Sequence, residues 1–143
     1  MQATPAMFRL TLPSTTQAIR RVEPYLNKVN GAAKLDEVQF NKLMVSVTEA
    51  VNNAIIHGNK LDPSKKVRVV TELLPGWLVV MVTDEGRGFK PSAVRSPLKK
   101  TNLLKDSGRG LFLMRTLMDK VEYEINDTGT QVRLWLDLSK PTL

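Results

Sequence analysis

The sequence predicts an α+β protein, a two-layer sandwich in which a mixed, mainly antiparallel sheet carries helices on one face. Two pairs of short apolar segments are joined by tight turns, which is typical of antiparallel hairpins. Helical patterns interrupt these pairs in the order β-α-α-β-β-loop-α-β-β, which favours this class over a doubly wound parallel sheet. With 143 residues, the whole chain 1–143 is expected to form one domain.

The first strand is expected over residues 8–12, where apolar and polar residues alternate until Pro13 ends the segment. Ser14 is placed to cap a first helix. Pro24 is expected to kink or break that helix, and a loop is expected around residues 30–31.

The longest helix is predicted over residues 36–57, because this stretch contains no glycine or proline and repeats apolar residues at helical spacing. Gly58 follows it and suits a left-handed position at the helix end.

A hairpin is predicted from residues 67–74 and 77–83, with Pro75 and Gly76 in the turn. Its second strand is apolar throughout and is therefore expected to be central in the sheet. After it comes a polar stretch over residues 84–107, and loops of that length are usually functional or mobile.

The last three elements are a short helix and a second hairpin. Patterns of apolar residues predict a helix over residues 111–118 and strands over 121–125 and 132–138, with the turn at residues 127–129.

Composition narrows the possible functions. The chain has no cysteine, which excludes disulfides and thiolate chemistry, and it has no apolar run long enough to span a membrane. With no signal-peptide pattern, a cytoplasmic location and no membrane association are expected. The net charge is +7, but the basic residues are scattered in pairs, so direct binding to nucleic acid is not expected.

The first chemical motif is Glu49 and Asn53, four residues apart on one face of the long helix. Carboxylate and amide oxygens are suitable ligands for Mg²⁺, and the carboxylate is alternatively able to accept a proton from an attacking hydroxyl. Taken alone, such a pair is more often two solvated side chains.

The second motif, Asp84, Gly86 and Gly88, directly follows an apolar strand. Glycines so spaced permit a close approach of the backbone to a ligand. A carboxylate there accepts a hydrogen bond from an exocyclic amine, which adenine has at its sixth position and guanine lacks, so Asp84 favours ATP over GTP. An ordinary turn explains the same residues.

The third motif is Gly108, Arg109 and Gly110, which lead into the helix that begins at Leu111. Free N–H groups and the positive end of the helix dipole suit a phosphate group, although an ordinary helix cap has the same pattern. It is neither a Walker A loop nor a dinucleotide fingerprint.

Together, in this order, the motifs and the later Gly129-Thr130 resemble the histidine-kinase-like ATPase superfamily, the fold shared by gyrase, chaperone ATPases and sensor kinases. The chain is most similar to the bacterial anti-sigma-factor serine kinases. The resemblance extends from the first strand to the last and implies ATP and Mg²⁺ as ligands.

The resemblance also implies a role for individual residues. It places Asn53 on Mg²⁺, Glu49 beside the γ-phosphate as the base, and Asp84 on the adenine amine, with Thr130 supporting the adenine through its hydroxyl. Residues that shape the pocket or contact phosphate are Gly86, Gly88, Gly108, Arg109, Gly110 and Leu111. Residues 89–107 correspond to the nucleotide lid.

His57 is the only histidine of the chain. The resemblance is consistent with a local role near the phosphates, and a charge that stabilises the helix end is the equal alternative. A phosphoacceptor histidine normally lies on a separate helix upstream, which this sequence lacks.

The function implied is a serine/threonine kinase that transfers the γ-phosphoryl group of ATP to a small antagonist protein and also binds a sigma factor, thereby regulating transcription. The alternative is a non-catalytic switch, in which ATP orders the lid and the ordered lid sequesters a protein partner. Homodimerisation through the edge of the first strand is also consistent with the resemblance.

Overall fold

The computed structural model describes residues 6–86 and 111–139, and these form a five-stranded sheet with helices packed against it. The strand order is β1-β2-β3-β5-β4. The strands are β1 (Met7–Pro13), β2 (Lys66–Leu74), β3 (Trp77–Thr83), β4 (Lys120–Asn126) and β5 (Gly129–Asp137). The predicted hairpins are confirmed, and β3 is central as expected.

Every pair of adjacent strands in the described sheet is antiparallel. The α+β class is therefore confirmed, but the described sheet is antiparallel throughout, where a mixed, mainly antiparallel one was predicted. The reason is the position of β5. Because β5 is antiparallel to both β3 and β4, those two strands run in the same direction, but β5 lies between them and prevents a parallel pair.

Three α-helices are described: α1 (Val22–Ala33), α2 (Glu37–Asn53) and α3 over residues 111–117. The helix expected from residue 111 is thus confirmed, and α2 is the longest helix, as predicted. A short 3-10 helix (Thr16–Arg21) precedes α1.

The start of the first helical region differs from the prediction. Ser14 does not cap a helix, and its hydroxyl donates to the carbonyl of Lys65 instead. Pro24 does not break α1, because it is the third residue of the helix, where a backbone N–H has no partner within the helix.

The loop predicted around residues 30–31 is wrong, since both residues belong to α1. The helix continues to Ala33 and ends at Lys34, which has a left-handed φ of 53°. Asn30, a residue typical of turns, still takes part in ending the helix, because its side-chain oxygen accepts a hydrogen bond from the N–H of Leu35.

Local sequence explains both ends of α2. Asp36 caps it and forms a reciprocal capping box with Gln39. After Asn53 the helix widens into one π-turn (Ala54–Gly58), in which the N–H of Asn59 donates to the carbonyl of Ala54.

Gly58 does not take the left-handed position expected at the helix end. In the turn that follows α2, the residues with positive φ are Lys60 and Leu61. Glycine is required at position 58 because a side chain there would collide with Asp84.

The core lies between the helices and one face of the sheet. Fully buried side chains alternate along the strands, and the register places Leu12 opposite Val67, Val69 opposite Val82, and Val80 opposite Leu134. The helical layer contributes Leu26, Val29, Leu43, Val47, Val51 and Met114. On the other face of the sheet, Trp77 and Trp135 meet edge to face with ring centroids 5.8 Å apart.

Candidate functional site

Asp84 is a buried carboxylate at the end of the central strand β3, with only 6% of its surface exposed. Its Oδ1 accepts hydrogen bonds from the N–H groups of Gly86 at 3.0 Å and Thr130 at 3.1 Å. Its Oδ2 accepts no hydrogen bond from residues 6–86 or 111–139. One oxygen is therefore held by the protein, and the other is available to a ligand that donates a hydrogen bond.

Burial raises the pKa of Asp84 above its ordinary value, and the two backbone hydrogen bonds and the charge of Lys65 oppose this effect only in part. Burial acts this way because a low-dielectric environment disfavours the ionised form. A buried carboxylate of this kind is a common feature of binding sites, because an incoming donor compensates the lost hydration.

Three glycines enclose the Asp84 carboxylate so closely that none has room for a side chain. A Cβ on Gly58 would lie 2.5 Å from Asp84 Cγ, and a Cβ on Gly86 would lie 2.6 Å from the carbonyl carbon of Gly58. A Cβ on Gly129 would lie 3.0 Å from the carbonyl carbon of Asp84. The end of α2, the end of β3 and the start of β5 thus meet with backbone against backbone.

Glu49 and Asn53 both lie on α2, one turn apart, and both side chains are half-buried. Neither side chain makes a hydrogen bond or ion pair with another described residue. Asn53 directly precedes the π-turn that ends at Gly58, beside Asp84. This face of α2 therefore carries a carboxylate and an amide oxygen on the helix whose end packs against Asp84.

A polar cluster beneath the pocket was not identified from the sequence. Asn59 is 1% exposed, and its side chain bonds to three different segments of the chain. Ser14, fully buried, is one of its partners. The available signal was the position of Asn59, a polar residue directly after the helix motif, but its partners are remote in sequence.

Some of the remaining predicted residues are described by the structure, and the others lie outside the described ranges. Thr130 is close to Asp84 through its backbone N–H, and Leu111 begins α3, while the His57 side chain is exposed. Gly88, Gly108, Arg109, Gly110 and the predicted lid at 89–107 lie outside the described residues. The structure thus brings together Asp84, Gly86 and Thr130, next to the end of the α2 motif.

The described residues contain neither a cluster suited to a metal ion nor a membrane-spanning helix. Nowhere in 6–86 or 111–139 do three or more His, Asp or Glu side chains gather in a way that suits a metal ion. Within the same ranges, no helix is long and apolar enough to cross a membrane. A divalent ion at this site would therefore need ligands from a bound molecule as well as from the protein.

Comparison with known proteins gives a consistent result. The family model for the histidine kinase-like ATPase domain matches residues 12–136. The serine-protein kinase RsbW of Staphylococcus epidermidis is 28% identical over 130 residues, which cover 85% of this chain and 80% of that protein. The anti-sigma F factor of Clostridium perfringens is 35% identical over 105 residues, covering 70% and 75%.

Among solved structures, the RsbU and RsbW domains of a Mycobacterium tuberculosis protein match with a TM-score of 0.70 and 22% identity. The match covers 97% of this chain and 34% of that one, so the chain spans about a third of the longer protein. At this identity the comparison supports the fold alone.

Proposed function

The chain belongs to the family of histidine kinase-like ATPase domains, and from this we propose that it is an anti-sigma-factor-type serine/threonine protein kinase. It transfers the γ-phosphoryl group of ATP to a small antagonist protein. The observation that carries the proposal is the buried Asp84, which lies against the end of the helix motif at Gly58. One of its oxygens is bonded by the backbone, and the other has no hydrogen bond from the described residues. The names of the relatives, serine-protein kinase and anti-sigma F factor, support the same activity.

Asp84 recognises the base in this proposal. Its free Oδ2 accepts a hydrogen bond from the exocyclic amine of adenine, while guanine presents an acceptor at that position and is rejected. The lack of a side chain at Gly58 leaves space for the carboxylate, and the N–H groups of Gly86 and Thr130 fix its orientation. Thr130 supports the base through its hydroxyl, next to its own backbone bond to Asp84.

The α2 face handles the phosphates. The amide oxygen of Asn53 is free among the described residues and suits Mg²⁺, which prefers oxygen ligands and takes the others from phosphates and water. Bound Mg²⁺ neutralises charge on the phosphates. Glu49, one turn earlier, orients the acceptor hydroxyl and takes its proton. His57, at the end of the helix motif, is assigned a local contact near the phosphates.

The glycine turn that precedes residue 111 belongs to the same proposal. Gly108, Arg109 and Gly110, before Leu111, contact the phosphates, and Gly88 shapes the pocket. Residues 89–107 act as the nucleotide lid of a single domain spanning 1–143. The kinase works in the cytoplasm with a sigma factor and its antagonist as protein partners, and it regulates transcription through them.

A second function, an ATP-dependent switch that sequesters a protein without phosphorylating it, is favoured by one observation. The relative with 35% identity is named for binding, as an anti-sigma F factor, rather than for catalysis. Nucleotide binding is common to both functions, and only transfer of the phosphoryl group distinguishes them.

Two measurements test these proposals. Calorimetric titration of ATP and GTP, with and without Mg²⁺, is expected to show Mg²⁺-dependent binding of ATP and at least about tenfold weaker binding of GTP. Incubation with γ-labelled ATP and the candidate antagonist proteins of the source organism is expected to label serine or threonine. Binding without labelling favours the switch, and the absence of ATP binding overturns both functions.

A further inference from the structure

We propose that Asn59 is a positioning residue for base recognition, because it holds the backbone next to Asp84 in the conformation that directs the carboxylate. The inference rests on the proposed function, in which Asp84 binds the amine of adenine. Asn59 is not expected to touch the nucleotide itself, since it is buried beneath the turn.

The side chain of Asn59 makes three hydrogen bonds within the protein, with both donors of Nδ2 and one acceptor position of Oδ1 in use. Its Nδ2 donates to Ser14 Oγ at 2.9 Å and to the carbonyl of Lys66 at 3.0 Å. Its Oδ1 accepts from the N–H of Glu85 at 2.8 Å. The end of α2, the end of β1, the start of β2 and the end of β3 are thus joined through one amide group.

The bond to Glu85 is the one that bears on the site. Glu85 lies between Asp84 and Gly86, and the N–H of Gly86 donates to Asp84 Oδ1. Two successive N–H groups are therefore directed to different partners, that of Glu85 to Asn59 and that of Gly86 to Asp84. Without the bond from the Glu85 N–H to Asn59, the peptide group between Asp84 and Glu85 is free to rotate. The N–H of Gly86 then loses its fixed direction toward the Asp84 carboxylate.

The remaining contacts of Glu85 are weaker constraints. Its carboxylate accepts from the N–H of Lys66 and lies 3.9 Å from Arg68 in an exposed ion pair. Exposed ion pairs contribute little to stability or geometry. A buried amide with three hydrogen bonds is the stronger restraint, because a lost partner leaves buried polar groups without hydrogen bonds.

The matched variants are Asn59→Ala and Ser14→Ala. Both remove a buried hydrogen bond of the same cluster, but only the first frees the Glu85 N–H. Each variant and the wild type are titrated with ATP and with purine riboside 5′-triphosphate, which lacks the amine at the sixth position. The ratio of the two dissociation constants measures recognition of the amine, and urea unfolding measures stability.

We expect the wild type to prefer ATP by about tenfold, the value of one buried hydrogen bond. Asn59→Ala is expected to reduce this ratio to about threefold or less, while Ser14→Ala keeps the wild-type ratio even though both lose stability. If Asn59→Ala keeps the wild-type ratio, or Ser14→Ala loses it equally, the positioning role is wrong.

A third variant, Asn59→Asp, keeps an oxygen acceptor for the Glu85 N–H but loses the two donors. Asn59→Asp is expected to retain the preference for ATP despite reduced stability. If Asn59→Ala does not fold, Asn59→Asp takes its place in the test. Loss of the preference for ATP in Asn59→Asp would then overturn the inference. A wild type that binds ATP without preferring it over the analogue, or does not bind it, overturns the adenine-binding role of Asp84 as well.

Discussion

Gly58 and Asp84 pack so closely that a Cβ on Gly58 would lie 2.5 Å from Asp84 Cγ. The residues come from the end of the α2 motif and from the end of β3, so this contact joins the two parts of the candidate site. The absence of a side chain at position 58 permits the contact.

Gly58→Ala is therefore expected to displace the Asp84 carboxylate and to weaken ATP binding by about tenfold or more, with a loss of about 1–3 kcal/mol in unfolding free energy from overpacking. Calorimetry and urea unfolding measure the two effects. Gly31→Ala is the control, since nothing lies within 4 Å of a Cβ there. In helix α1 that change is expected to add about 0.5–1 kcal/mol and to leave ATP binding unchanged. Equal ATP affinity in Gly58→Ala and the wild type would contradict the contact.

In the absence of ligand, Asp84→Asn tests whether burial destabilises the ionised carboxylate. Because the native pKa is raised, the folded state binds the proton more tightly than the unfolded state, and stability falls as pH rises through the interval above the ordinary pKa of aspartate. Asparagine does not titrate and lacks this penalty. The stability of Asp84→Asn relative to the wild type is thus expected to increase between about pH 4 and pH 7.

Urea unfolding at a series of pH values measures this difference, and ATP titration of the same variant is expected to show loss of binding. Glu37→Gln, an exposed position in the first turn of α2, serves as the control for a general effect of removing one negative charge. Parallel pH profiles for Asp84→Asn and the wild type would mean that the carboxylate is not penalised by burial.

Glu49→Gln is expected to reduce phosphoryl transfer by about 10²–10⁴-fold, the usual contribution of a general base, while ATP affinity changes by less than about threefold. The amide keeps the shape and polarity of the side chain but does not accept the proton. Labelling from γ-labelled ATP measures transfer, and calorimetry measures affinity. Undiminished transfer in this variant would remove Glu49 from the proposed mechanism.

Asn53→Ala tests the assignment of Mg²⁺, with its neighbour Asn52→Ala as a matched control. Asn52 has similar exposure but points about 100° away around the helix. The gain in ATP affinity on adding Mg²⁺ is expected to fall by about tenfold in Asn53→Ala and to persist in Asn52→Ala. The same loss in both variants would indicate a general disturbance of α2 rather than a ligand.

Local pattern accounted for most elements of the fold. The alternation in β1, the turn at Pro75 and Gly76, and the long apolar repeat of α2 each identified an element within a few residues. Besides the predicted roles of Ser14 and Gly58, the errors were at Pro24 and at residues 30–31, where residues typical of breaks were tolerated. The first turn of a helix has no internal bond for proline to remove, and the rest of α1 is held by its buried face against the core.

For the candidate site, the sequence predicted Glu49, Asn53 and Asp84, because helical spacing and a strand end define where such side chains project. Their roles stay predictions. The sequence did not reveal why Gly58 is glycine, since it predicts a left-handed turn and the structure shows a close approach to Asp84. The spacing of residues in the sequence predicts neighbours within one helix or strand, but it does not predict contacts between elements.

The sequence by itself determined the elements of this protein and their approximate limits, and it predicted candidate residues for a nucleotide site, because each depends on interactions within a few residues. Only the tertiary structure decided that β5 lies between β3 and β4. It also decided that Asn59 bonds to Ser14, 45 residues earlier, and to Glu85, 26 residues later. Those features depend on which surfaces pack together to bury the core and satisfy its polar groups, and that choice is made by the whole chain.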